Sequence, residues 1–174
     1  RRRSQQALQA SEARLNFLLT HTPAIIYAAA LTDRGTTTTF LSESTYRLLG
    51  YIPAEHRDDL GFWNSLIHPD DVDSGLECVQ ELLTSGSATW EHRVRHGNGT
   101  YRWHSTGMSR LQTAAEPPQF IGYSVDIHES KLARDALRIS EARYRSVLQN
   151  APANIAEVDR NGTILSENRT ILDK

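Results

Sequence analysis

Few residues in this chain could do chemistry, and each sits in a recognisable local setting. His68 stands just before Asp70 and Asp71, so an imidazole–carboxylate acid–base pair is within reach. The same string, Ile67-His68-Pro69-Asp70-Asp71, also suits a helix start. Pro69 fits the first helical position, and Asp70 and Asp71 fall where the macrodipole favours negative charge. The helix-start reading takes precedence. His92 and His104 lie in stretches that alternate polar and apolar residues. His92 is expected on one strand face with Trp90, Val94 and, across a hairpin, Trp103. If that face is inward, His92 is a polar group that can meet a ligand. Phe62, Trp63, Trp90, Tyr101, Trp103 and Tyr123 form an aromatic set. They read as core first and as the lining of a small-molecule pocket second. Arg93, Arg95 and Arg102 are expected to form an outward basic face.

Other chemistries find no footing. Cys78 is the only cysteine, which excludes a disulfide framework and a cysteine zinc site. It reads as a small core or boundary residue. No phosphate-cradling glycine loop, nucleophile elbow or metal-spaced His/Cys set occurs. No nucleophile–base pair is visible, so no catalytic and no metal-ligating residues are assigned.

The elements that must position these residues follow from periodicity and turn chemistry. Residues 4–22 read as a helix with an apolar stripe through Leu8, Leu15, Leu18 and Leu19, stopped by Pro23. Residues 24–31 and 36–41 read as a hairpin around Asp33-Arg34-Gly35. Ser42 is placed to cap a short helix closed by Gly50, and Pro53 to open another turn. A longer helix follows Pro69 to about Leu83, with Val72, Leu76, Val79, Leu82 and Leu83 on or near one face. Three strands come next, at 88–96, 100–111 and 119–127. Gly97-Asn98-Gly99 joins the first two as a hairpin turn. The last strand runs into a helix over 128–150. Asp126 and Glu129 are spaced as an N-cap acid and its partner at the third helical position, so both are assigned to the strand-to-helix hinge.

The chain also repeats itself. Ala136-Leu137-x-x-Ser140-Glu141-Ala142-Arg143 matches Ala7-Leu8-x-x-Ser11-Glu12-Ala13-Arg14, and Leu148, Pro152, Ala153 and Ile155 match Leu19, Pro23, Ala24 and Ile26. Asp159-Arg160-Asn161-Gly162-Thr163 then answers Asp33-Arg34-Gly35-Thr36. A domain-sized period marks a duplicated unit. The expected organisation is a linker helix (1–22), a complete domain (23–128), a linking helix with coiled-coil character (129–151) and the opening of a second domain (152–174). At 174 residues, 39% hydrophobic and 23% charged, the chain fits a globular protein with one ordinary core. A net charge of −2 gives no pull towards nucleic acid. No apolar run approaches the ~20 residues that span a bilayer. Arg1-Arg2-Arg3 reads as a solvated helix start, with a juxtamembrane anchor as the alternative. The expected location is the cytoplasm, with the cytoplasmic part of a membrane-anchored sensor as the alternative.

Several of these strings, in this order and spacing, resemble the PAS domain of the bacterial sensory-box type with its C-terminal PAC motif. They are Leu48-Leu49-Gly50-Tyr51, Phe62-Trp63-x-x-x-Ile67-His68-Pro69-Asp70-Asp71, Trp90-Glu91-x-Arg93, Gly97-Asn98-Gly99-x-Tyr101-Arg102-Trp103 and Gly122-x-x-x-Asp126-Ile127-x-Glu129-x-Lys131. The resemblance implies an α+β fold: a five-stranded antiparallel sheet, strand order 2-1-5-4-3, with short helices on one face around a small cavity. It also implies a sensor or dimerisation role ahead of a histidine kinase, a diguanylate cyclase or a similar output domain in the same chain. Light-sensing relatives need a cysteine on the short helices, and residues 42–66 hold none. Haem-binding relatives take their ligand from the long helix, and no histidine lies between Asp70 and Leu83. A flavin adduct and haem are both disfavoured, and the cofactor is left open.

The resulting expectation is a non-enzymatic signal-sensing module that binds a small molecule, dimerises through its flanking helices, or both. Trp90, His92, Trp103, Tyr123, Phe62 and Trp63 would line the cavity, and Asp126 and Glu129 would relay change into the C-terminal helix. A ligand-free interaction module is the alternative. A small α+β enzyme using His68 with Asp70 or Asp71 stands third.

Overall fold

The computed structural model describes residues 2–32, 35–56, 61–112, 117–150 and 156–167. The chain divides into two compact units, Arg1–His128 and Glu129–Lys174.

The first unit opens with α1 (Arg2–His21), followed by β1 (Ile25–Thr32), β2 (Gly35–Leu41), α2 (Ser44–Leu49) and α3 (Phe62–Ser65). Then come α4 (Val72–Ser85), β3 (Ser87–Arg95), β4 (Tyr101–Arg110) and β5 (Gln119–Asp126). Short 3₁₀ turns at Pro53–His56 and Pro69–Asp71 precede α3 and α4. The five strands form one antiparallel sheet in the order β2-β1-β5-β4-β3, as the family resemblance implies. β1 and β5 are neighbours although most of the chain separates them, so the first and last strands close the sheet's centre.

Local chemistry explains the joints. Gly50 ends α2 in the left-handed region at φ 82°, and its N–H bonds to the Tyr46 carbonyl. The β3–β4 turn is drawn tight by Asn98, whose Oδ1 accepts from the Thr100 N–H at 3.0 Å. Ser42 does not cap α2. Its hydroxyl accepts the Ile26 N–H at 2.9 Å and meets Ser44 Oγ at 2.7 Å, because the buried end of β1 must satisfy its backbone first.

The core has two parts. Ala29, Cys78, Leu82, Ala88 and Phe120 form one cluster, with Tyr27, Leu31, Trp90 and Met108 against it. Ile25, Leu49, Leu66 and Val94 form the other. The buried face of α4 is thus carried by Cys78 and Leu82, while Val72, Leu76 and Leu83 are exposed. The sequence stripe was too wide: a helix over one sheet edge buries only the narrow seam beneath it.

The second unit holds α5 (His128–Asn150, beginning on the first unit's last residue) and the hairpin of β6 (Ala156–Val158) and β7 (Ile164–Glu167). Asp159 Oδ1 closes that hairpin by accepting the Asn161 and Thr163 N–H groups at 2.8 and 2.9 Å. The equivalent turn of the first hairpin, at Asp33 and Arg34, lies outside the described residues, as do 151–155 and 168–174.

Candidate functional site

Alternation along β3 sends Ala88, Trp90, His92 and Val94 to the inner face. Register then decides what meets them. His92 lies opposite His104, and Trp90 opposite Thr106. On the next strand Thr106 faces Ser124, and His104 faces Asp126. His96, one residue beyond β3, keeps the same parity and is buried. One end of the inner sheet face is therefore lined with histidines, hydroxyls and a carboxylate.

These groups bond to one another. His96 Nε2 meets His104 Nε2 at 3.0 Å. His104 Nδ1 meets Ser124 Oγ at 3.0 Å, and the Thr106 hydroxyl donates to the same oxygen at 3.1 Å. The His92 ring stacks on Trp90 with centroids 3.7 Å apart. His92 Nδ1 is buried with no hydrogen-bond partner among the described residues. Burial lowers the pKa of all three imidazoles, that of His92 and His104 to about 4. At neutral pH they are uncharged, with lone pairs available.

Asp126 closes this cluster and begins the exit. Its Oδ2 accepts from Arg102 Nε at 2.6 Å, and its Oδ1 accepts the His128 N–H at 2.8 Å. Burial pushes the carboxyl up, but the bonds from Arg102 and the His128 amide outweigh it and hold Asp126 below the usual carboxylate range. One carboxylate thus grips β4 and the first amide of α5. The cap differs from the expected box. The helix begins at His128, which makes Ile127 the capping position and Glu129 the second helical residue, one short of the position a capping box requires.

A second aspartate builds a similar clamp at the start of α4. Asp71 accepts from the Arg93 backbone N–H at 2.8 Å, from Nε at 3.0 Å and from Nη2 at 2.7 Å. Asp70 takes a further bond from Arg93 Nη2 at 3.2 Å. Hydrogen bonds from that guanidinium hold Asp71 below the usual carboxylate range. His68 Nδ1 accepts the Asp70 N–H at 3.2 Å. The His68–Asp pair offered as an acid–base dyad is thus committed to starting a helix.

The six residues expected to line one cavity fall in three places. Trp90 and His92 are inward, as above. Phe62 and Trp63 sit on α3 in a knot with Tyr51 and His56. Phe62 stacks on His56 at 3.5 Å and meets Trp63 edge-on at 5.0 Å. Trp103 and Tyr123 lie on the outer face. Trp103 is opposite Arg93, whose guanidinium carbon stands 5.4 Å from its ring centroid. Tyr123 covers Gly107, where an added Cβ would come within 2.6 Å of its ring. The error is one of parity: His92 pairs with His104, so Trp103 must point the other way. Arg102 is corrected for the same reason; it faces Asp126 rather than joining Arg93 and Arg95. A depression of about 380 Å³ also lies on the outer face, among Ile26, Gly107, Ile121 and Tyr123. Cys78 is buried and its thiol is pushed up by burial, which suits a packing role rather than nucleophilic chemistry.

Sequence reasoning missed His96, Arg102, His104 and Ser124 as members of a site. Parity could have found His96, two residues beyond Val94. The other three depend on register between strands. Spacing alone shows no metal-ligand set, yet the fold brings donor atoms of His96, His104 and Asp126 within 4.8 Å of one another.

The two-component sensor PprA of Pseudomonas aeruginosa is 30% identical over 176 residues, covering 99% of this chain and 18% of that protein. The uncharacterized protein y4lL of Sinorhizobium fredii is 31% identical over 116 residues, covering 65% of this chain and 14% of that protein. The chain therefore spans less than a fifth of the length of these curated relatives. Among solved structures, a sensory box histidine kinase/response regulator from Burkholderia thailandensis superposes with a TM-score of 0.58 at 24% identity, covering 76% of this chain and 98% of the other. The N-terminal domain of a diguanylate cyclase with PAS/PAC sensor from Marinobacter aquaeolei gives 0.52 at 17%, covering 62% and 98%. The model of the PAS fold matches residues 38–124. That match covers half of the chain, and the chain belongs to the PAS domain family.

Proposed function

We propose that this chain is a non-catalytic sensing module of a larger bacterial signalling protein, one whose output domain is of the sensor kinase or diguanylate cyclase type. In this reading a change in packing or charge on the inner face is passed through Asp126 to α5 and on to that output. The carrying observation is the Asp126 carboxylate, which binds Arg102 of β4 and the first amide of α5 at once. A shift of β4 or β5 cannot leave that amide's partner in place. The difference in a signal's affinity for two packings sets how far the output equilibrium moves.

The test is Asp126→Ala in the full-length protein. Signal-dependent output should fall while the circular dichroism spectrum and the oligomeric state stay as in the parent. Unchanged output from the folded variant would remove Asp126 from the relay.

A second reading draws on a different observation. Leu8, Leu15, Phe17 and Leu18 on α1, and Leu137, Ile139, Tyr144 and Val147 on α5, are all exposed. They would be covered if flanking helices paired between two copies of the chain. The dimerising reading is compatible with sensing, and without a signal it becomes a pure interaction module. Concentration-dependent native mass spectrometry separates them: a retained mass that vanishes on denaturation supports a bound ligand, and a clean dimer supports pairing alone. The repeat that begins at Ala136, with the hairpin of β6 and β7, supports reading the second unit as the opening of another domain of the same kind. No described helix is long and apolar enough to cross a membrane; we place the module on the cytoplasmic side.

A further inference from the structure

We infer that His96, His104 and Asp126 form a binding site for one divalent transition-metal ion of the zinc, cobalt or nickel class. The three residues come from the position just beyond β3, from β4 and from the last position of β5, at one end of the inner sheet face. Their donor atoms lie within 4.8 Å of one another. Two neutral imidazoles and one carboxylate are a donor set for borderline metals rather than for calcium or magnesium.

The geometry of the imidazole pair is chelating. His96 Nε2 and His104 Nε2 are 3.0 Å apart. With metal–nitrogen bonds of about 2.0–2.1 Å, that separation subtends roughly a right angle at a shared ion, and a few tenths of an ångström more opens it to the tetrahedral value. The other ring nitrogen of His104 is already held, 3.0 Å from Ser124 Oγ. With its proton on Nδ1, His104 donates to Ser124 and turns the Nε2 lone pair towards His96. Such a bond is what fixes tautomer and ring plane in metal-binding histidines. Thr106, which donates to the same hydroxyl, holds Ser124 as an acceptor.

The ion takes the place of the proton that joins the two Nε2 atoms: with His104 in the tautomer above, His96 Nε2 carries that proton, and His96 holds its ring proton on Nδ1 instead once the ion is bound. Asp126 completes the set. Its side chain is 26% exposed, which gives both the freedom to close on the ion and the path by which the ion enters. Arg102, now paired with Asp126, opposes the ion. Binding therefore draws on the same carboxylate that holds the first amide of α5. Ion binding stands on this geometry alone; its coupling to α5 rests on the sensing reading above.

The test is titration of the untagged, metal-free 174-residue chain with Co²⁺ and with Zn²⁺, followed by visible absorption and calorimetry. One equivalent should bind, with Co²⁺ d–d bands that Zn²⁺ abolishes. His96→Gln and Asp126→Asn should each weaken binding at least tenfold, and Ser124→Ala about tenfold through loss of the orienting bond. His21→Gln and His56→Gln, whose side chains lie elsewhere, should leave binding unchanged. The inference is overturned if the folded parent binds no Co²⁺ or Zn²⁺, or if His96→Gln and Asp126→Asn bind as the parent does. Ion binding with no change in output from the full-length protein would confirm the site and defeat the relay reading. Failure to bind would leave Asp126→Ala as an independent test of that relay.

Discussion

The two ends of the inner sheet face are built on opposite principles. At one end Ala29, Ala88 and Phe120 pack against Cys78 and Leu82 of α4, and almost nothing there can change charge at ordinary pH. At the other end His92, His96, His104 and Thr106 occupy equally deep positions, with Ser124 half-buried beside them, and Asp126 carries the chain out into α5. Burying an imidazole where an aliphatic residue would fit costs stability unless the ring is bonded and neutral. The polar end is therefore the part of the core whose free energy responds to pH, to ions and to small displacements. It is also the end that touches the helix leaving the domain. The comparison separates a region that sets stability from a region that can report a change.

The largest effect should come from acid. His92 and His104 titrate near 4 when folded and near 6.5 when exposed. Between those values the unfolded chain holds more protons, so stability is full above about pH 6.5 and falls as the pH drops towards 4. The loss should be on the order of 3 kcal/mol for each imidazole across that window. Urea unfolding of the metal-free chain at stepped pH measures it. His92→Phe keeps a ring on Trp90, removes one protonation site and should flatten the curve. A pH-independent midpoint between 4 and 7 would mean that the polar end opens to water without unfolding.

Leu82→Ala should come next. Leu82 is 2% exposed at the centre of the apolar cluster, and truncating a buried leucine costs about 2–5 kcal/mol. The shift should be the same at pH 7 and pH 5, because no titrating group lies in that cluster's acid range. A loss that grew on acidification would mean that the two ends share one cooperative packing.

The two ends were not equally legible in the sequence. Hairpin turns, proline and glycine punctuation and alternation gave the strands of the sheet, because each is a local signal read over a few residues. The hinge acid was legible for the same reason. What alternation could not give was parity across strands. His92 was grouped with Trp103, and it took the register of β3 on β4 to place His104 there and send Trp103 out to Arg93. Arg102 and Ser124 depend on two such registers at once. The width of the α4 stripe failed likewise, since burial depends on what the helix rests on. Local chemistry fixes elements, and sites made across strands need the pairing itself.

The paired clamps extend the comparison with smaller effects. Asp71 accepts three bonds from Arg93, including the backbone N–H, and ties the start of α4 to β3. Asp71→Ala strands that amide and should cost about 2 kcal/mol, as hydrogen bonds to a charged acceptor do. Thermal unfolding measures it, with Asp71→Asn restoring part of the loss through the remaining carbonyl. Equal stability of Asp71→Ala and the parent would show that water replaces the carboxylate without penalty, and would remove the clamp from the account of the fold.

Asp126→Ala should have the smallest effect on stability, and its distribution is informative. Its carboxylate is partly exposed and accepts one backbone bond, from His128, so the loss should be about 1 kcal/mol, the usual worth of a helix-start acceptor. That loss should be local. Amide exchange should quicken at His128, and the amides of Ile127 and of the β4–β5 ladder should keep their protection, because Ile127 bonds to the Trp103 carbonyl independently of the side chain. If protection fell along β5 as well, the carboxylate would be holding the sheet edge rather than the helix start. Change at the polar end would then spread into the domain instead of leaving through α5. If His128 kept its protection, another acceptor would have replaced Asp126, and the hinge would carry no information of its own.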